Sequence, residues 1–154
     1  MITIEKGLFF GNKYNLYKDE VFIGEIQKPF LLSSYSIFLN DEKWVLKPIS
    51  LFKSGYKVEK DGEVLLTAKS KFSFKSEWII QYKEKEFRWL KTSFFSSDYQ
   101  LLLTGNEQVL GNCRRTSIWA SHWESDFPPN VDSWFQLALF CLIELSAIKT
   151  SVVS

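Results

Sequence analysis

From Trp134 to Ile148 the chain reads Trp-Phe-Gln-Leu-Ala-Leu-Phe-Cys-Leu-Ile-Glu-Leu-Ser-Ala-Ile, and only Gln136, Glu144 and Ser146 interrupt the apolar run. Residues of every helical phase are apolar, so no single stripe faces a core while the opposite face meets water. Such a helix must be covered on all sides, by protein or by lipid. Pro128 and Pro129 end whatever strand precedes it, and Asp132 is a good N-cap. These signals predict a helix from Asp132 to about Thr150. A membrane span needs roughly twenty apolar residues, about 30 Å at the helical rise. This run is shorter and contains a glutamate, which is costly in hydrocarbon. The expectation is a helix enclosed by the rest of the chain, with no transmembrane span. Burying ten or so large side chains there would contribute on the order of 20 kcal/mol before chain entropy is counted.

The remaining sequence supplies an enclosure. A unit of strand, polar turn and strand occurs five times, with turns at Lys18-Asp19-Glu20, Asn40-Asp41-Glu42, Asp61-Gly62, Lys83-Glu84-Lys85 and Gly105-Asn106-Glu107. Around them the pattern alternates, as in Tyr14/Leu16, Trp44/Leu46, Tyr56/Val58, Phe87/Trp89 and Tyr99/Leu101/Leu103. Alternation marks strands with one buried face. Asp61-Gly62 is the clearest hairpin turn, because a type I′ turn needs positive φ at both central residues. Trp78-Ile79-Ile80 and Val64-Leu65-Leu66 are apolar on both faces and predict strands covered twice. An opening strand near Ile2–Glu5 and another near Ile118–Trp123 bring the count to about twelve. So long a meander leaves vulnerable edges unless it closes. The expected architecture is mainly β: one domain over 1–154, a closed antiparallel barrel over about 2–126 around a helix at about 132–150.

Charge gives little direction, since 19 Lys and Arg stand against 18 Asp and Glu. That balance argues against a nucleic-acid partner. Cys113 and Cys141 are the only cysteines and read as reduced, buried thiols. Glu5 and Lys6 make the N-terminus a poor signal peptide, so a cytoplasmic location is the default expectation.

No catalytic constellation is present: there is no nucleophile elbow, no phosphate loop and no Cys-x-x-Cys. The expectation is a protein without catalytic residues, cofactor or metal. His122, Glu124 and Asp126 would share one strand face and could hold a divalent ion, but the plainer reading is a polar face opposite Trp123. Lys69, Lys71 and Lys75 interleave with Phe72 and Phe74 beside Trp78, and Arg114 and Arg115 follow the fifth hairpin. Basic residues mixed with exposed aromatics suit an anionic lipid surface or a single-stranded nucleic acid. The plainer reading is a solvated strand edge guarded by lysines. Glu144 needs a partner inside a barrel, or a position near a mouth where it reaches solvent.

The order of elements, together with Tyr14-Asn-Leu-Tyr-Lys-Asp19 followed by Ile23-Gly-Glu-Ile26, Lys43-Trp44-Val-Leu-Lys47 and Val109-Leu-Gly-Asn-Cys-Arg-Arg115, resembles the Tubby C-terminal domain superfamily. That group includes plant LURP-one-related proteins and phospholipid scramblases. The resemblance spans about Tyr14 to the end of the helix and implies a closed barrel around a central hydrophobic helix. Tubby proteins bind phosphoinositides through basic residues on the barrel, and some relatives have been linked to DNA. No residue here matches those lipid-binding positions one for one, and the scramblases' acidic calcium segment and Pro-rich region have no counterpart. The expected role is a binding module that docks on anionic phospholipid or on a protein, with Lys69, Lys71, Lys75, Arg114 and Arg115 as its anion-binding residues. The alternative is a carrier of a small apolar ligand, held between barrel and helix or at a mouth.

Overall fold

The computed structural model describes residues 1–7, 12–28, 34–50, 55–71, 77–93, 96–116 and 122–153, with side chains described to residue 146. Twelve strands run in chain order: β1 (Ile2–Lys6), β2 (Lys13–Lys18), β3 (Val21–Gln27), β4 (Tyr35–Leu39), β5 (Glu42–Pro48), β6 (Gly55–Lys60), β7 (Glu63–Lys71), β8 (Glu77–Tyr82), β9 (Lys85–Lys91), β10 (Tyr99–Leu103), β11 (Val109–Arg115) and β12 (His122–Asp126). Each pairs antiparallel with its sequence neighbours. β1 also pairs with β12, placing Ile2 opposite Ser125 and Ile4 opposite Trp123, and this seam closes the barrel. The single helix, α1 (Ser133–Val153), follows. The strand expected near Ile118–Trp123 is described from His122 onward, as β12; residues 117–121 lie outside the described part.

The up-and-down order gives the barrel two unlike ends. At one, tight turns join β2 to β3, β4 to β5, β6 to β7 and β8 to β9. All four are two-residue turns with positive φ at both centres: Asp19-Glu20, Asn40-Asp41, Asp61-Gly62 and Lys83-Glu84. These are type I′ geometries, whose twist matches that of the flanking strands. Glu20, Lys83 and Glu84 adopt φ values that cost a side-chain-bearing residue about 1 kcal/mol each. Glu84 is exposed, so Glu84→Gly is expected to raise stability by about 0.5–1 kcal/mol, seen as a higher urea midpoint at unchanged slope. A lowered midpoint would contradict the left-handed turn.

Three hairpins carry a bulge at the same place. Pairing skips Ile23 in β3, Leu65 in β7 and Leu110 in β11. Each skipped residue packs partly against the core. The residue before it is left in solvent, with Phe22 56% exposed, Val64 46% and Val109 48%. A bulge places two residues against one and resets the alternation. That corrects the expectation for Val64-Leu65-Leu66: the apolar run is a bulge, and no second cover lies over Val64.

α1 fills the lumen. Leu137, Ala138, Leu139, Phe140, Cys141 and Leu142 have no solvent exposure, and inward-facing Ile4, Leu16, Ile37, Leu46, Val58, Ile80 and Trp89 surround them. The three polar residues of the run are each bonded to the wall. Ser125 Oγ donates to Gln136 Oε1 at 2.9 Å, and Trp78 Nε1 donates to Ser146 Oγ at 2.8 Å. Tyr14 hydrogen-bonds Glu144, and burial and that carboxylate together push the Tyr14 phenol above its ordinary range. Trp89 Nε1 adds a bond to the Leu139 carbonyl at 3.1 Å. Bonds of this kind add only about 1 kcal/mol each, but misrotating the helix would strand every partner. They fix which face of an all-apolar helix meets which strand. No helix among the described residues is long and apolar enough to cross a membrane.

Candidate functional site

β1, β3, β5, β7, β9 and β11 all run toward the end opposite the tight turns. Lys69 and Lys71 close β7, and Arg114 and Arg115 close β11, so both clusters reach the same rim. Three strands lie between them, about 19 Å along the wall at the usual strand spacing. Lys69 and Lys71 point outward and are exposed, whereas Ala68, on the inner face, is buried. Arg114 also points outward, but its Nη2 lies 3.2 Å from Glu124 Oε2. Arg115 is exposed, with its guanidinium 5.9 Å from the centre of the Trp123 ring. Lys75, Phe72 and Phe74 lie outside the described residues. Trp78 is buried beneath the wall and belongs to the core, so it is not one of the exposed aromatics expected beside these lysines.

Closure of the barrel removes the plain explanation for these cations. A ring of strands has no open edge for lysines to guard. The rim also contains residues that the sequence reading left out. All six strands arriving there have a basic residue at their last position or one position from it: Lys6 ends β1, Lys71 β7, Lys91 β9 and Arg115 β11, while Lys28 follows β3 and Lys47 precedes the final Pro48 of β5. That recurrence in alternate strands was visible once the strands were numbered. Lys47 is held by Glu59 at 2.6 Å. Among the described residues, Lys6, Lys28, Lys69, Lys71, Lys91 and Arg115 have no ion-pair partner.

The carboxylates of the same half are mostly engaged. Glu25 meets Lys13 at 2.6 Å, a bond that lowers its pKa, and Glu77 meets Arg88 at 2.6 Å. At the other end the balance reverses, because the hairpin turns contribute Asp19, Glu20, Asp41, Asp61, Glu84 and Glu107, followed by Asp126 and Asp132. The near-neutral chain is therefore a dipolar barrel, basic at one rim and acidic at the other.

Other candidate chemistry resolves into structure. His122 and Glu124 share the outer face of β12 with Asp126, as the spacing implied. His122 Nδ1 faces Glu5 at 3.4 Å while Glu124 is bonded to Arg114, and no group of three metal-ligating side chains occurs among the described residues. Cys113 and Cys141 are free, buried thiols, and burial pushes both far above the ordinary thiol range. Buried thiols of this kind are ordinarily unreactive. Glu144 is half-buried beside Tyr14.

A pocket of about 260 Å³ opens at the turn end, where α1 enters the barrel. Its walls come from the β8–β9 hairpin (Tyr82, Lys83 and Phe87), β10, β11, the segment 127–132 and the first turn of α1. Comparison with protein-family models, with curated proteins and with solved structures finds no match to this chain.

Proposed function

We propose that this chain is a non-catalytic binding module that docks its basic rim onto an anionic phospholipid surface. The observation that carries the reading is the basic residue at or within one position of the end of every strand reaching that rim, most of them without an ion-pair partner among the described residues. Cations spread around one rim suit a flat, charged surface better than a single small anion, because all can approach it together. Each Lys or Arg near an anionic membrane contributes about 1 kcal/mol.

Composition supports lipid over an acidic protein. The stretches between these strands that lie outside the described residues contain, by sequence, Leu8-Phe9-Phe10, Phe30-Leu31-Leu32, Leu51-Phe52, Phe72, Phe74, Phe94-Phe95 and Ile118-Trp119, which include eight of the 14 phenylalanines. Aromatic residues beside lysines are the composition favoured at a membrane interface. The resemblance to Tubby-like proteins, which bind phosphoinositides through basic residues on the barrel, points the same way. A cytoplasmic location would present the rim to the leaflet that carries most anionic lipid.

Flotation with vesicles of phosphatidylcholine alone, with added phosphatidylserine, and with added phosphoinositide tests the reading. Binding is expected only with the anionic lipids and should weaken as salt is raised. Reversing charge in Lys69→Glu, Lys71→Glu and Arg115→Glu together should weaken it about a hundredfold or more, with the barrel's circular dichroism unchanged. Equal and negligible flotation with all three vesicles would dispose of the lipid reading. Undiminished binding by the triple variant would dispose of the rim as its site.

A further inference from the structure

The pocket at the opposite rim is a concavity of about 260 Å³ that opens to solvent, with room for a ligand of about ten to twelve heavy atoms. Specific backbone features form it. The bulge at Leu110 turns that side chain toward the space, and Gly111 leaves room for the Phe127 ring. A Cβ at Gly111 would lie 2.1 Å from that ring. Pro128 and Asn130 then carry the chain around the mouth to Asp132.

The walls are aromatic and the rim is acidic. Tyr82 stacks on Phe135 with ring centres 4.7 Å apart, and Phe87 meets Phe135 edge-on at 6.2 Å. Phe127 lies on the far wall. Tyr82 Oη donates to Asp132 Oδ2 at 3.2 Å, which turns the exposed carboxylate toward the mouth. Lys83 is the one cation that lines the pocket; its ammonium sits 5.2 Å from the centre of the Tyr82 ring and bonds the Tyr82 hydroxyl, while Asp132 has no ion-pair partner among the described residues. Around it the turn end carries Glu84, Glu86, Glu107 and Asp126 against Lys85. Aromatic faces attract cations through their quadrupole, and an acidic rim raises the local concentration of cations.

We infer that this pocket binds a small organic ammonium with an aromatic or branched aliphatic body, the body lying among Phe87, Leu110, Phe127 and Phe135 and the charged head at Asp132. The site is independent of the basic rim, since it lies at the other end of the barrel.

Matched probes test the inference by nitrogen–proton correlation spectroscopy on the intact chain: 3-phenylpropylamine, 3-phenylpropanol and 3-phenylpropanoate. The amine is expected to bind with a Kd on the order of 0.1–1 mM and to shift resonances of residues 82–87, 110 and 127–135. It should bind about tenfold more tightly than the carboxylate, with the alcohol between them. Asp132→Asn retains a good N-cap and should erase the amine's advantage over the alcohol while leaving alcohol binding intact. Leu110→Trp should fill the space and abolish binding of all three. Absence of shifts at millimolar amine would overturn the proposal. So would a carboxylate that binds as well as the amine, or an amine preference that survives Asp132→Asn.

Discussion

Phe140→Ala is expected to destabilise the barrel by about 3–5 kcal/mol, the cost of deleting a large, fully buried aromatic from a core that cannot collapse around the gap. Phe140 has no solvent exposure and sits near the middle of α1, edge-on to Tyr14 at 5.1 Å and to Trp123 at 5.6 Å. Those two rings belong to β2 and β12, the strands that flank β1. Truncation would therefore remove packing from beneath the closure seam. Equilibrium urea unfolding would report the loss as a lower midpoint. A change below about 1 kcal/mol would mean that α1 is not enclosed as described.

Gly24→Ala is expected to cost about 3 kcal/mol through overpacking that no rotamer can relieve. A Cβ at Gly24 would lie 1.8 Å from the Phe38 carbonyl oxygen of β4, so a backbone, not a flexible side chain, would have to move. The contact lies within the β3–β4 ladder, where Gly24 pairs with Leu39. Gly105→Ala provides the comparison. Gly105 has φ of 87° but open space around the added atom, so its cost should stay near 1 kcal/mol. If the two substitutions cost the same, the close approach of β3 to β4 is wrong.

The helix was legible because a run apolar in all phases admits few environments, and its length excluded most of those. Gln136, Glu144 and Ser146 looked like interruptions. Ser125, Tyr14 and Trp78, which satisfy them, stand on β12, β2 and β8, so the matching could not be found along the chain. The hairpins were legible from their polar turns, but Glu20, Lys83 and Glu84 disguised turns that ordinarily recruit Asn or Gly. The bulges were hidden for a different reason. Val64-Leu65-Leu66 has the pattern of a strand buried on both faces, and only the pairing with Val58 and Glu59 shows that Leu65 is skipped.

Lys69, Lys71, Arg114 and Arg115 were recognised as two separate clusters. Their common rim follows from strand direction, which a count of hairpins already contains. The acidic pocket was not legible, because Phe87, Leu101, Leu110, Phe127 and Phe135 come from five different elements.

The order of synthesis gives the enclosed helix a further consequence. Hairpins can form within microseconds of leaving the ribosome, yet the inner faces that carry Trp78 and Trp89 lack the helix that covers them until α1 emerges after the last strand. β1 must also wait for β12, about 120 residues later, to find its second neighbour. Closure of the seam and docking of the helix therefore both await residues beyond 120. Until then the nascent chain presents a curved sheet with an uncovered aromatic face, a species that aggregates readily and that chaperones recognise.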